Sequence, residues 1–239
     1  MNDKMVETGK KYALIMAGGK GMRMNSPVPK QFLKLDGKPI LLHSIDKFLN
    51  ADPNIEIILI LPQDYVKLWE QVCAEYMFHK PVKIAHSGET RFHSVKNGLE
   101  LVTEESVVAI HDAVRPLVGA KTIQVSYKAA EMYGNAIPAI PINDSIRQIE
   151  STRSIAVDRS RYCATQTPQC FRSEIIKKAY QQEYKYTFTD DAAVVEALGE
   201  QIKLVDGNPE NIKITSPKDL LIAEVLLKAE AQPFTANKI

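Results

Sequence analysis

Cysteine is scarce in this chain: Cys73, Cys163 and Cys170 are its only thiols. Their spacing forms no CxxC pair and no disulfide framework, so they read as free thiols of a reducing compartment. The five histidines are scattered and supply no HExxH or similar ligand pair. Long apolar runs are also missing; none reaches the roughly 18–20 residues that span a bilayer. Met1–Lys11 is charged, and the apolar stretch after it, Tyr12–Met16, is too short for the core of an export signal. The expectation is a cytoplasmic protein. Nor does one charge sign dominate. Thirty Lys and Arg face 29 Asp and Glu, a formal net charge of +1. That balance excludes a generic nucleic-acid coat and disorder, and confines any basic site to a local one suited to a small anion.

What is present is a core. Of 239 residues, 45% are apolar, enough for one α/β domain spanning 1–239. Short β-branched runs predict buried strands at Tyr12–Met16, Ile55–Leu61, Val82–Ala85, Val107–Ile110, Ala136–Ile140 and Ile202–Val205. Helical patterns lie between them. Leu41, Ile45, Phe48 and Leu49 share one face of a helix in Pro39–Leu49. Ser216 (N-cap), Pro217 (first position) and Asp219 (three after the cap) open another, with Leu220, Leu221, Ala223, Val225 and Leu227 expected on its buried side. Alternating strands and helices predict a Rossmann-like, mostly parallel sheet covered on both faces, with ligands beyond the strand carboxyl ends. The proline-bearing stretch from about 136 to 171 breaks that rhythm. It is expected to project as a β-arm and to meet a partner subunit.

The first strand runs into Ala17-Gly18-Gly19-Lys20-Gly21-Met22-Arg23-Met24. Glycines here let successive backbone N–H groups close on an anion, and Arg23 and Lys30 add positive charge. No glycine starts a GxxxxGK[ST] loop. A dinucleotide GxGxxG is broken because Met24 stands at its third glycine, and Asp36-Gly37 reads as a turn rather than a ribose-binding acid.

With Pro29-Lys30-Gln31-Phe32, this loop resembles the signature of the glycine-rich-loop nucleotidyltransferases. His111-Asp112-Ala113-Val114-Arg115-Pro116, Val157-Asp158-Arg159, Gln166-Thr167-Pro168-Gln169, Thr189-Asp190-Asp191 and Asn211-Ile212-Lys213-Ile214-Thr215 follow in order. Together they resemble the 2-C-methyl-D-erythritol 4-phosphate cytidylyltransferase family of non-mevalonate isoprenoid synthesis, from about Tyr12 to Leu227. The resemblance implies a homodimer built through the arm, CTP and a polyol phosphate as substrates, and Mg²⁺ as cofactor. Backbone groups of Ala17, Gly18 and Gly19 would meet CTP, with Gly88, Glu89 and Ser94 around its base and ribose, and Asp112 and Ala113 nearby. Asp112 would face the metal. Arg23, Lys30 and Lys213 would be catalytic cations. Arg115, Ser145, Arg159 and Lys213 would bind the acceptor, with Ser145 and Arg159 reaching in from the partner. The sequence departs from the family pattern at Ser145, where threonine is usual, at Tyr162-Cys163, where a tryptophan is common, and at Ser87, where a second glycine is usual.

Other readings compete on local pattern. His111 is expected to pack rather than ligate, Asp190-Asp191 to cap a helix rather than hold a second metal, and Lys213 to stand on a half-buried strand. Ribitol 5-phosphate is the rival acceptor. An NAD-dependent oxidoreductase or a non-catalytic nucleotide-binding module would share the fold but not the cations around two substrates.

Overall fold

The computed structural model describes residues 9–19 and 28–231. Its centre is β1 (Lys11–Met16), flanked by β4 (Glu56–Leu61) and β6 (Val107–Asp112), both parallel to it. These three strands are apolar almost without interruption because both faces are covered. Along β1 the pleat sorts side chains by parity. Ala13 and Ile15 enter one core, with α1 (Ile40–Ala51), α2 (Val66–Glu75) and α4 (Ala120–Tyr133). Tyr12 and Leu14 enter the other, with α3 (Arg91–Leu99), α5 (Ser173–Ala179) and α6 (Asp191–Glu196).

Beyond β4 lies β5 (Val82–His86), also parallel. On the other side β11 (Gln169–Arg172) runs antiparallel to β6, followed by β7 (Asn135–Pro141), with β10 (Cys163–Thr165) and β12 (Leu204–Asp206) on β7. Six of the eight strands therefore point one way, as expected of a mostly parallel Rossmann-like sheet. A separate two-residue turn, Asp36-Gly37, joins β2 (Lys34–Leu35) to β3 (Lys38–Pro39) with φ of +48° and +80°, as read from the sequence.

The arm is shorter than its proline content suggested. Only β8 (Arg147–Glu150) and β9 (Arg153–Ala156) form a separate hairpin, whereas Ala136–Pro141 and Cys163–Arg172 belong to the main sheet. Proline forfeits only its own donor. The carbonyl of Pro138 still receives the N–H of Gln166 at 2.7 Å, so β7 stays in the ladder.

The last helix, α7 (Pro217–Ala231), starts as expected: one carboxylate oxygen of Asp219 receives the backbone N–H groups of Thr215 (2.9 Å) and Ser216 (2.8 Å). Its buried face differs. Leu220, Ala223, Leu226 and Leu227 pack on Leu35, Ile40, Val114 and Ile214, while Leu221 and Val225 are 66% and 68% exposed. Leu226, not Leu221 or Val225, continues the buried stripe.

Candidate active site

The strand ends converge on one cleft of about 480 Å³. Met16 and Ala17 reach it from β1, Pro62 and Asp64 from β4, Ser87 to Arg91 from β5, and Asp112 from β6. Three backbone bonds keep these ends level: Ala17 N–H to Ile60 O (2.9 Å), Ser87 N–H to Leu61 O (3.1 Å) and Ala113 N–H to Met16 O (3.1 Å). This is where an open parallel sheet places its ligands.

The glycines have separate reasons. A Cβ on Gly18 would stand 3.0 Å from the Cβ of Ser87, and one on Gly88 would stand 2.5 Å from the Cβ of His93; one on Gly19 would meet nothing within 4 Å among the described residues. Gly18 thus allows the loops after β1 and β5 to touch, Gly88 lets its loop close on the start of α3, and Gly19 is uncrowded among the described residues. Ser94, in the first turn of α3, receives the Gly88 N–H on its hydroxyl (3.0 Å) and donates to Thr90 O (2.8 Å). Thr90 caps α3 through His93 N–H.

Lys30 stands on a 3₁₀ turn, Lys30–Phe32, and its ammonium lies 3.4 Å from Ile214 O. The next residue, buried Gln31, donates its side-chain amide to Ala17 O at 2.6 Å, tying that turn to the glycine loop. Asp112 ends β6 with one carboxylate oxygen 3.0 Å from Lys213 Nζ and 3.4 Å from Arg115 Nε. Burial by itself would raise this carboxyl. Lys213, Arg91 and Arg115 together outweigh it and hold Asp112 far below the usual carboxylate range, so it is ionised. His111 beside it is fully buried, against Phe48. Burial pushes its imidazole down to about 4. The Thr167 hydroxyl receives the Asp112 N–H (3.1 Å) and meets His111 Nδ1 (3.0 Å), leaving His111 Nε2 to donate to Arg115 O (3.1 Å). His111 is a packed neutral group, as its setting in the sequence suggested.

Ala17, Gly18, Gly19, Lys30, Gly88, Glu89, Ser94, Asp112 and Lys213 line one cleft. Arg23 lies outside the described residues. Ala113 is set back from the cleft: it is fully buried, its N–H bonds to Met16 O and its carbonyl receives the Ser44 hydroxyl at 2.8 Å. Arg115 stands behind Asp112, donating to Asn211 O at 2.7 Å. Ser145 and Arg159 are exposed at the base of the arm, where Arg159 donates to Asn143 O, and neither lines this chain's cleft. Lys213 is not on a strand; its segment is held by Ile214 N–H to Val114 O (2.9 Å). Asp190 caps α6 as expected, but Asp191 is fully buried and takes both guanidinium arms of Arg91 (2.7 and 2.5 Å) and the Tyr180 hydroxyl (2.6 Å). Among the described residues, no group of three or more His, Cys, Asp or Glu is clustered for a metal.

The sequence reading missed two features. Arg91 lines the cleft, clamped from behind by a carboxylate 100 residues away. The Gln166-Thr167-Pro168-Gln169 motif does not line the cleft but braces it. Gln169 bonds Asp190 (2.8 Å) and Ala192 N–H (2.9 Å), while Gln166 bonds Asn208 and Asn211. Its two glutamines were visible, but not the remote loops they join. A second cavity, of about 470 Å³, lies at the opposite ends of β1 and β4 between Lys11, Asp52 and Tyr127; the Lys11–Asp52 ion pair closes on itself there.

An open α/β sheet with backbone amides, lysines and one ionised aspartate gathered past its strand ends defines a protein that handles nucleotides or other phosphates. The comparisons narrow the class. The family model described as 2-C-methyl-D-erythritol 4-phosphate cytidylyltransferase matches residues 12–229, and the chain belongs to that family. A relative of that name from Bacteroides thetaiotaomicron is 46% identical over 91% of this chain and 100% of its own length. One from Geobacillus kaustophilus is 37% identical over 90% and 96%. Among solved structures, 4-diphosphocytidyl-2C-methyl-D-erythritol synthase from Anaerococcus prevotii superposes with a TM-score of 0.81 at 25% identity, over 95% of this chain and all of that one. The Thermus thermophilus cytidylyltransferase gives 0.70 at 28%, covering 92% and 99%.

Proposed function

We propose that this chain transfers the cytidylyl group of CTP to 2-C-methyl-D-erythritol 4-phosphate, forming 4-diphosphocytidyl-2-C-methyl-D-erythritol and pyrophosphate in non-mevalonate isoprenoid synthesis. The observation that carries this reading is the family match over residues 12–229 on a chain whose glycine loop, Lys30, Asp112 and Lys213 share one cleft. An oxygen of the acceptor phosphate attacks the α-phosphorus of CTP. The bond from that phosphorus to the bridging oxygen breaks, and pyrophosphate leaves with the electron pair. The attacking oxygen is already anionic near neutral pH, so the demand on the protein is alignment and charge neutralisation rather than a strong base. Lys30, Lys213 and Arg23 meet that demand as cations. The amides of Gly18 and Gly19 hold phosphate oxygens, the Ala17 N–H being engaged by Ile60 O, and the loop of Gly88, Glu89 and Ser94 frames the base and ribose. Arg115 supports the acceptor's side of the site from behind Asp112.

Mg²⁺ fits the donors present. It needs one or two carboxylates and completes its shell with water and phosphate oxygens, and Asp112 is an ionised hard-oxygen ligand at the cleft. When bound, it would neutralise phosphate charge. The homodimer belongs to the same reading. Ser145 and Arg159 lie on an arm that exposes Ile149 (78%) and Ile155 (40%), which supports their serving a partner's cleft. No helix among the described residues is long and apolar enough to cross a membrane, in keeping with a cytoplasmic enzyme.

Pyrophosphate release from CTP and Mg²⁺ tests the reading, with methylerythritol 4-phosphate and ribitol 5-phosphate run in parallel. Release with the first alone is expected. Release with the second alone would overturn the acceptor and keep the transfer; folded protein silent with both would overturn the activity.

A further inference from the structure

Asp112 and Lys213 meet at 3.0 Å although 100 residues separate them. Something must hold the Lys213 segment in place, because it forms no strand. Asn211, two residues earlier, is fully buried. Both hydrogens of its side-chain amide are used, one on Thr167 O at 2.8 Å and one on Gln166 Oε1 at 3.3 Å. Two acceptors on one side fix which end of the amide carries nitrogen. Its backbone carbonyl takes the Arg115 guanidinium at 2.7 Å. Among the described residues, its side-chain oxygen meets no partner. The residue therefore gives its donors and accepts nothing through its side chain.

These bonds close a ring. The Asp112 N–H donates to the Thr167 hydroxyl, the Thr167 carbonyl receives Asn211, the chain runs two residues from Asn211 to Lys213, and Lys213 returns to the Asp112 carboxylate. Every link except the Asn211 amide is a backbone group, a hydroxyl or a member of the ion pair. We infer that Asn211 is a positioning residue, which sets where Lys213 and Arg115 stand relative to Asp112 without touching substrate. The inference rests on the proposed transfer reaction, in which Lys213 is a catalytic cation. Displacing such a group by about 1 Å is enough to cost on the order of 100-fold in rate.

The test is a double-mutant cycle on the full chain, reading pyrophosphate release with kcat and the CTP KM separated. Asn211→Ala is expected to lower kcat about 10- to 100-fold with the CTP KM within about threefold, and to add little when Lys213→Ala is already present. A core variant remote from the cleft, Ile176→Val, should keep kcat even if its melting temperature falls as far. If Asn211→Ala does not fold, Asn211→Ser, which keeps a donor too short to span both acceptors, carries the same expectation. Wild-type kcat in the Asn211 variant, beside a slow Lys213→Ala, would overturn the positioning role and leave the reaction standing. Losses that multiply in the double variant would overturn action through Lys213. A Lys213→Ala enzyme at full rate would overturn the site reading and this inference with it.

Discussion

At the scale of single residues, burial removes one charge and neighbouring cations hold another against it. His111 is kept neutral. The unfolded chain takes up its proton near pH 6.5 and the folded one only near pH 4. As pH falls between those values the unfolded state binds the extra proton, so stability is lost across that window, by at most about 3 kcal/mol. His111→Gln should flatten it, read as urea midpoints at pH 7 and pH 4.5 for the two proteins; parallel curves would refute the assignment. Asp112 has the opposite sign. Its depressed carboxyl stabilises the fold above its ordinary 3.8 and is lost only at more acid pH, so the two windows separate. Lys30 is legible as a chemical group in the sequence, through Pro29 and the preceding glycines. Its aim depends on Gln31 and the Ala17 carbonyl, which no local pattern contains. Lys30→Ala should lower kcat by about 10²–10³ while the CTP KM changes far less; a KM effect with kcat intact would make Lys30 a binding group only.

At the scale of elements, the loops after β1 and β5 matter most. The sequence shows glycine at 18, 19 and 88 but not which of them is crowded. Gly88→Ala forces a Cβ to within 2.5 Å of the His93 Cβ and 3.0 Å of its backbone carbonyl carbon. An overpacking cost of about 1–3 kcal/mol should lower the melting temperature by about 5 °C. Gly19→Ala meets no described residue within 4 Å and should melt within about 1–2 °C of wild type. Equal melting temperatures for the two would contradict the packing. Strands β1, β4 and β6 were legible because burial on both faces writes them as continuous apolar runs, and the edge strand β5, where only Ala85 is buried, through the β-branched Val82 and Ile84. The exposed side of α7 was not, since Leu221 and Val225 have the same apolar character as Leu226 and only contact with Val114 and Ile214 separates them.

At the scale of the whole molecule, this chain's cleft lacks two of its expected acceptor groups. Ser145 and Arg159 stand at the arm, and the hairpin side chains Ile149 and Ile155 face outward. The full chain is expected to be a dimer by light scattering. The pair Ile149→Glu and Ile155→Glu should shift it to monomer and cut turnover. Mixing Arg159→Ala with Lys213→Ala subunits should restore activity that neither has alone, because one cleft of the mixed dimer is then intact. A fully active monomer would refute the sharing.

Periodicity and composition alone determined the sheet, its two covered faces, the turn at Asp36-Gly37 and the start of α7, because each follows from forces acting within a few residues. The motifs likewise named most of the groups at the cleft, since phosphate chemistry needs glycine amides and fixed cations. Only the tertiary structure decided that β7, β10 and β11 join the main sheet, that Arg91 is clamped by Asp191, and that Gln166, Thr167 and Asn211 brace Asp112 against Lys213. Those choices depend on hydrogen bonds between residues far apart in the chain, from Cys163 with Pro141 to Arg91 with Asp191, and a buried donor finds its acceptor only once packing has excluded water and brought the segments together.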